Sequence, residues 1–408
     1  MKRCPVLLLV AAAIAAGCAE EDPEILHEYD PFTGSAYPDQ REPIDVPPGG
    51  LALVTDSLSD TLSLLDLGAG ERMGSAPVGR DPVGLDGPHH IALDRAGGFA
   101  YVALSYPVLG GAGPHAGHGS SVQPGYAQKL ALGDLRVLGQ VRVDESPGDI
   151  VLSDDGARLV LSHFDLRRSL ENPGDLDKAR ATLAVLDPRT LAAVGSPAPA
   201  RISTCVAPHG VALSRPDGAL AFVACYGEDS VAVVDLDAGE VLERVPVSPA
   251  PGAPGDPSYG PYSAILSPDA ATLALGNTLS KDVRFLDVAS RTIDPERVAP
   301  TIGAPFFPAW SEDGATLYVP TQAPDAIVVL DLAADVQEIA RRDFLAGECV
   351  APHLVERYGA DTLLVVCEGD HAQPGRVLWL DRATLETDHA ADVGVYPDGL
   401  AIVPGGAP

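Results

Sequence analysis

Read as a pattern of apolar and polar positions, the chain repeats one phrase seven times: a proline opens an apolar stretch, a turn usually follows about nine residues later, and a second apolar stretch follows the turn. The phrase reads Pro88-His89-His90-Ile91-Ala92-Leu93, Pro147-Gly148-Asp149-Ile150-Val151-Leu152, Pro208-His209-Gly210-Val211-Ala212-Leu213, Pro261-Tyr262-Ser263-Ala264-Ile265-Leu266, Pro305-Phe306-Phe307-Pro308-Ala309-Trp310, Pro352-His353-Leu354-Val355 and Pro397-Asp398-Gly399-Leu400-Ala401-Ile402. A repeat of roughly 40–60 residues made of short β-runs is the signature of a propeller. The expected fold class is therefore all-β: a seven-bladed β-propeller of four-stranded antiparallel blades.

The third unit shows one blade in full. Apolar runs over 211–214, 221–224, 231–235 and 241–245 are separated by the turns Pro216-Asp217-Gly218, Gly227-Glu228-Asp229 and Asp237-Ala238-Gly239, the signal of an antiparallel meander. Ser153-Asp154-Asp155-Gly156 and Ser311-Glu312-Asp313-Gly314 keep the first of these turns, whereas Ser267-Pro268-Asp269-Ala270 loses its glycine. The tail 397–403 supplies a single strand, and three strand-like runs near the start (51–54, 61–66 and 72–78) lack an opening strand. Pairing these N-terminal strands with the C-terminal strand completes a seventh blade, closes the ring and removes exposed sheet edges.

With these Ser-Pro-Asp-Gly-like turns and third strands such as Val233-Val234-Asp235-Leu236, the chain resembles the YVTN or YncE-like family of seven-bladed propellers over residues 49 to 404. The resemblance implies the fold and leaves the activity open, since related propellers serve as binding platforms, metal and haem sites, lactonases and surface-layer parts.

Residues 1–17 have a basic start at Lys2 and Arg3 and an apolar core over 6–16, which predicts a signal peptide too short to span a bilayer stably. Ala15-Ala16-Gly17-Cys18 resembles a bacterial lipobox, in which Cys18 is lipidated and becomes the mature N-terminus; an ordinary signal peptide with an incidental cysteine is the alternative. Both place the mature chain outside the cytoplasm, and Ala19 after the cysteine points, by analogy with other lipoproteins, to the outer membrane. Residues 18–49, rich in Glu, Asp and Pro, predict a lipidated N-terminus and disordered tether, leaving 50–404 as the propeller and 405–408 as a tail.

Charge changes the list of partners. The chain carries 27 Lys and Arg against 57 Asp and Glu, a formal net charge of -30, so a general nucleic-acid role is excluded and membrane contact is expected only through the anchor. Cations fit better. The remaining partner expectation is a small ligand or an envelope protein on the loop-rich face of a monomer.

Beyond Cys4 and Cys18, four cysteines stand in two related frames, Cys205-Val206-Ala207-Pro208-His209 with Cys225 and Cys349-Val350-Ala351-Pro352-His353 with Cys367. Each frame sets one cysteine just before a first strand and the other at the end of the second, ends that antiparallel pairing brings together. Disulfides Cys205 to Cys225 and Cys349 to Cys367 are predicted, as an oxidising compartment favours. Four thiolates around one metal would require the two pairs to meet across the ring.

The ten histidines are unevenly placed. In such a meander the loop into the first strand and the loop between second and third strands open on one face. His89, His90, His209 and His353 lead into first strands; His115, His118, His163 and His371 lie at second-strand ends or beyond; only His27 and His389 fall elsewhere. The loops 106–125, 164–180 and 249–260 crowd the same face, the usual place for binding in a repeat protein. Asp165, Asp256, Glu368 and Asp370 there are candidate oxygen ligands or general bases.

Imidazole is the commonest ligand for zinc, copper and iron. Nitrous oxide reductase, which holds copper with histidines including an adjacent pair at the hub of a seven-bladed propeller, offers a partial resemblance: His89-His90 looks like that pair, with His163, His209 and His353 as further ligands. The full histidine set and the separate copper domain of that enzyme are missing here, so its reaction is not expected. Three readings stand. The first is an extracytoplasmic propeller binding a ligand, a transition metal such as copper, zinc or iron, through His89, His90, His163, His209 and His353. The second is an interaction scaffold whose histidines hydrogen-bond hub carbonyls, and the third a lactonase-type hydrolase. No Cys-x-x-Cys-His motif occurs, so no covalent haem is expected.

Overall fold

The computed structural model describes residues 31–32, 41–80, 82–108, 117–194, 201–333 and 335–406; the signal segment, Cys18, His27 and His115 lie outside them. Seven antiparallel sheets follow one another around a ring. Their first strands are Pro88–Asp94, Pro147–Leu152, Pro208–Leu213, Pro261–Leu266, the broken pair Ala304–Pro305 and Ala309–Trp310, Pro352–Tyr358 and Pro397–Val403, which open blades 1 to 7. The first strands of most neighbouring blades pack against one another and line a central channel.

Alternation along each strand decides the packing. In Leu51–Asp56, Leu51 and Leu53 point toward blade 1 and Ala52 and Val54 toward blade 6, so both faces are buried and the strand reads as a continuous apolar run. Seven such clusters fill the seven gaps between blades. An eighth, of Phe164, Tyr262, Phe306 and Phe307 with small residues, sits at the hub.

The ring closes as expected. Pro397–Val403 pairs antiparallel with Leu51–Asp56, from Leu51 opposite Val403 to Asp56 opposite Pro397, and the sheet continues through Thr61–Asp66 to Glu71–Pro77. Both disulfides form, with Cα separations of 5.8 Å for Cys205–Cys225 and 5.2 Å for Cys349–Cys367. Cys205 ends the outer strand of blade 2, so its bond staples blade 2 to blade 3.

Two segments read as irregular carry structure. The loop 164–180 holds two short helices, Leu166–Glu171 and Leu176–Ala179, capped by Asp165 and Asp175. Within the stretch read as tether, Ile44 and Val46 pack on the apolar cluster between blades 7 and 1, and the Arg41 guanidinium donates to Pro77 O and Leu135 O. Pro31–Phe32 adds a short edge strand to blade 1. An apolar face and a backbone acceptor were available to a stretch whose composition alone suggested none.

Candidate metal centre

One local device aims side chains at the axis. In six of the seven blades the residue before the opening proline (Gly87, Ser146, Ala207, Gly260, Ala351, Tyr396) is left-handed, with φ between 49° and 67°. The turn delivers the proline, and the residue after it converges on the channel as His89, His209, Tyr262, His353 and Asp398; Phe306 holds the same place in blade 5 without the left-handed turn. Blade 2 has Gly148 there; a Cβ would come within 2.9 Å of Ser162 Oγ and 3.3 Å of His209 Cδ2, and the next residue, Asp149, reaches the hub instead. Hydroxyls of neighbouring blades hold the hub backbone in place. Ser162 donates to His209 O at 2.5 Å, Ser263 to Phe306 O at 2.7 Å, and Thr55 to His89 O.

Asp398, fully buried, is the centre of the arrangement. Its Oδ2 lies 2.9 Å from His89 Nε2 and 3.3 Å from His118 Nε2, and its Oδ1 lies 2.9 Å from His353 Nε2 and 3.9 Å from His90 Nε2. Three sets of potential ligands have their ligand atoms within 4.8 Å of one another: His89, His118 and Asp398; His90, His353 and Asp398; and His89, His90 and His209. Ligands around 2.0–2.1 Å from a common metal lie about 3 Å apart, so the closer contacts already have that spacing.

The outer nitrogens fix the tautomers. His89 Nδ1 faces the carbonyl of Pro147 at 3.2 Å, His90 Nδ1 faces Asp149 Oδ1 at 2.9 Å, and His353 Nδ1 faces Glu368 Oε1 at 2.7 Å. His118 Nδ1 meets Ser105 Oγ at 2.8 Å, and because that hydroxyl donates to Gly87 O at 3.1 Å, its oxygen accepts from the ring. All four imidazoles thus donate outward from Nδ1 and present Nε2 to Asp398. A neutral Nε2 is an acceptor, and acceptor against carboxylate is repulsive unless a proton or a metal ion lies between them.

Without a metal, protons do this at some positions. Burial would drive the His353 imidazole down, but Asp398 and Glu368 on its two nitrogens push it up to about 10. Burial would raise the Asp398 carboxyl, yet His89 and His353 hold it well below the carboxylate range. His90 goes the other way: burial and the adjacent His89 pull its imidazole down despite Asp149, favouring a neutral ring.

Aromatic rings wall the site. His209 stacks on Tyr262 with centroids 3.8 Å apart and meets Phe164 edge-on at 4.8 Å. His371, the most exposed histidine near the hub, lies over Tyr396 at 3.7 Å and approaches Glu368 Oε2 at 2.9 Å. A line of titratable groups, Asp398, His353, Glu368 and His371, therefore runs from the buried centre toward the surface.

Of the residues singled out from sequence, His89, His90, His209 and His353 come together at the hub. His163 does not. A register shift between Leu161 and His163 sets it between blade 2 and the outer strand of blade 1, where Nδ1 faces Thr182 O of blade 2 at 2.9 Å and Nε2 accepts from Asp144 N of blade 1 at 3.2 Å. Asp165 caps a helix, Asp256 is exposed and Asp370 accepts from Ala372 N and Gln373 N. Sequence reasoning missed Asp398 and passed over His118. Asp398 carried the signal, since it holds the same post-proline place as His89, His209 and His353. A concavity of about 530 Å³ opens elsewhere, between Leu93, Arg95, Ser153, Glu356 and Ile402, and no histidine lines it.

No protein-family profile matches the chain, and no curated protein does. Many solved structures share the fold. A putative 6-phosphogluconolactonase from Bacteroides uniformis is 15% identical, covers 87% of this chain and all of its own (100%), and superposes with a TM-score of 0.61. The Pseudomonas aeruginosa periplasmic gluconolactonase is 18% identical over 87% of this chain and 99% of its own, with a TM-score of 0.61. The dihydro-heme d1 dehydrogenase NirN is 17% identical over 91% of this chain and 79% of its own, with a TM-score of 0.56. At such identities the likeness is one of fold.

Proposed function

We propose that this seven-bladed propeller binds a first-row transition metal at its hub, through His89, His90, His118, His353 and Asp398 with His209 beside them, and does so outside the cytoplasm on a lipid anchor at Cys18. The observation that carries the reading is the shared orientation of four imidazoles, each with Nδ1 spent on an outer acceptor and Nε2 turned to one buried carboxylate. Outer-shell acceptors of this kind orient metal-bound histidines and raise their basicity. Nitrogen and oxygen donors without thiolate suit zinc, copper or iron.

Elemental analysis of the untagged protein tests it. Stoichiometric metal that is lost in Asp398→Asn supports the reading, and a protein that neither contains nor takes up zinc or copper overturns it. Mass spectrometry of the mature N-terminus tests the anchor.

The fold neighbours named as gluconolactonases favour a second reading, a lactonase-type hydrolase using carboxylate and imidazole at the same hub. Turnover of a gluconolactone that disappears in His353→Gln would support it.

A further inference from the structure

We propose that the hub holds two metal ions rather than one, bridged by Asp398: the first on Oδ2 with His89 and His118, the second on Oδ1 with His90 and His353. The inference rests on the metal reading above and adds its stoichiometry and coordination.

The ligands divide without sharing an imidazole. His89 and His118 both meet Oδ2, their rings stacked with centroids 4.0 Å apart, while His353 and His90 both lie on the side of Oδ1. His89, His118 and Asp398 form one compact set and His90, His353 and Asp398 another, with only the carboxylate in common. A carboxylate whose two oxygens each face a separate histidine pair is the geometry of a bridging ligand. In paired sites the metals sit ~3.5–4 Å apart, within the reach of a single bridging carboxylate.

Each half also has its own outer support. Pro147 O and Ser105 Oγ hold the first pair, and Asp149 and Glu368 hold the second. Three buried carboxylates, Asp398, Asp149 and Glu368, thus stand in or directly behind the centre, charge suited to more than one divalent ion. His209 stands beside both pairs: its ring centroid lies 5.6 Å from that of His89 and 5.6 Å from that of His90, and it forms a third compact set with these two, one ring from each pair. Two His₂-carboxylate positions leave further coordination sites for water or a small bridging ligand.

The test uses the whole mature chain without a histidine tag, stripped with a chelator, reloaded with Zn(II), desalted and assayed for metal per chain. Two zinc ions are expected in the wild type and one in each of His118→Ala and His90→Ala, since each variant spares the other pair. In the Cu(II)-loaded wild type, the electron paramagnetic resonance signal is expected to account for less than the total copper, because bridged Cu(II) ions couple. One zinc in the wild type overturns the pair and leaves the metal-binding function standing. No zinc and no copper overturns both. Two ions that survive in both variants, or two Cu(II) ions with full signal intensity, overturn the bridge. The wild-type stoichiometry and the copper signal decide the matter even if a variant fails to fold.

Discussion

Asp398 Oδ1 lies 2.9 Å from His353 Nε2, and neither side chain is accessible to solvent. The two residues open blades 7 and 6 at the same post-proline position, so the contact repeats the geometry of the propeller itself. On the far side of the His353 ring Glu368 completes a buried carboxylate–imidazole–carboxylate array.

Such an array is destabilised by removing one charge more than by removing all of it. Asp398→Asn is expected to lower the unfolding free energy of the metal-free protein by about 3–5 kcal/mol at neutral pH, because the cationic His353 loses one of its partners. Denaturant titration measures this; a change below about 0.5 kcal/mol would mean that the ring is not held as imidazolium.

Glu368→Gln keeps the size and the acceptor oxygen but removes the outer-shell charge behind His353. Zinc affinity is expected to fall about 10–100-fold, the usual cost of an outer-shell change, while the stoichiometry of the histidine pair on Oδ2 persists. Competition with a chromophoric chelator reads both quantities.

A pH effect is expected at the ring closure, away from the hub. Asp56 accepts from Thr61, Ser63 and Gly394 N, but burial outweighs these bonds and pushes its carboxyl from the ordinary 3.8 to about 6. The folded state therefore holds the proton more tightly than the unfolded chain. This group's contribution is complete below about pH 4 and is lost as pH rises through 6. The stability difference between wild type and Asp56→Asn should accordingly move against the wild type by roughly 2 kcal/mol from pH 4 to pH 7. Paired urea midpoints check it, and parallel pH profiles would refute it.

Each disulfide closes a short loop, with sequence separations of 20 and 18. By chain entropy, losing Cys349–Cys367 should cost about 3 kcal/mol. The bond brackets the turn at Ala351 that presents His353, so the double Cys→Ser variant should also bind zinc more weakly. Calorimetry and zinc titration on the same sample separate the two effects.

Gly210 follows His209 in blade 3, and a Cβ there would stand 2.6 Å from Ala264 N in the neighbouring first strand. Gly210→Ala must push two first strands apart, at a cost of about 1–3 kcal/mol. An unchanged thermal midpoint would show that the ring absorbs the added methyl group.

The architecture was legible because it depends on periodic features: opening prolines, two-residue alternation and Asp-Gly turns. The disulfides were legible because antiparallel register fixes which strand ends meet. The hub was half legible. His89, His209 and His353 share a position whose geometry the left-handed turn sets, and Asp398 shares it too, but a search confined to histidines passed over an aspartate in the closing strand. His118 belongs to an insertion without periodicity, and its place is set by Ser105 and by stacking on His89, contacts that no spacing encodes. His163 was assigned to the correct strand end and the wrong depth. Second strands stand one place farther from the axis than first strands, and a local register shift gave its nitrogens to the backbone.

Asp398 belongs to Pro397–Val403, the last strand of the chain and the one that pairs with Leu51–Asp56. During synthesis the imidazoles emerge before the carboxylate they surround, so the hub is incomplete until the two ends of the propeller meet. A cation that settles there acts as a clasp: it binds the closed ring and not the open one, and it raises stability in proportion to the logarithm of its concentration over its dissociation constant. Occupancy of the centre and closure of the circle are then one equilibrium, and supply of the ion would govern how long the molecule survives in its compartment.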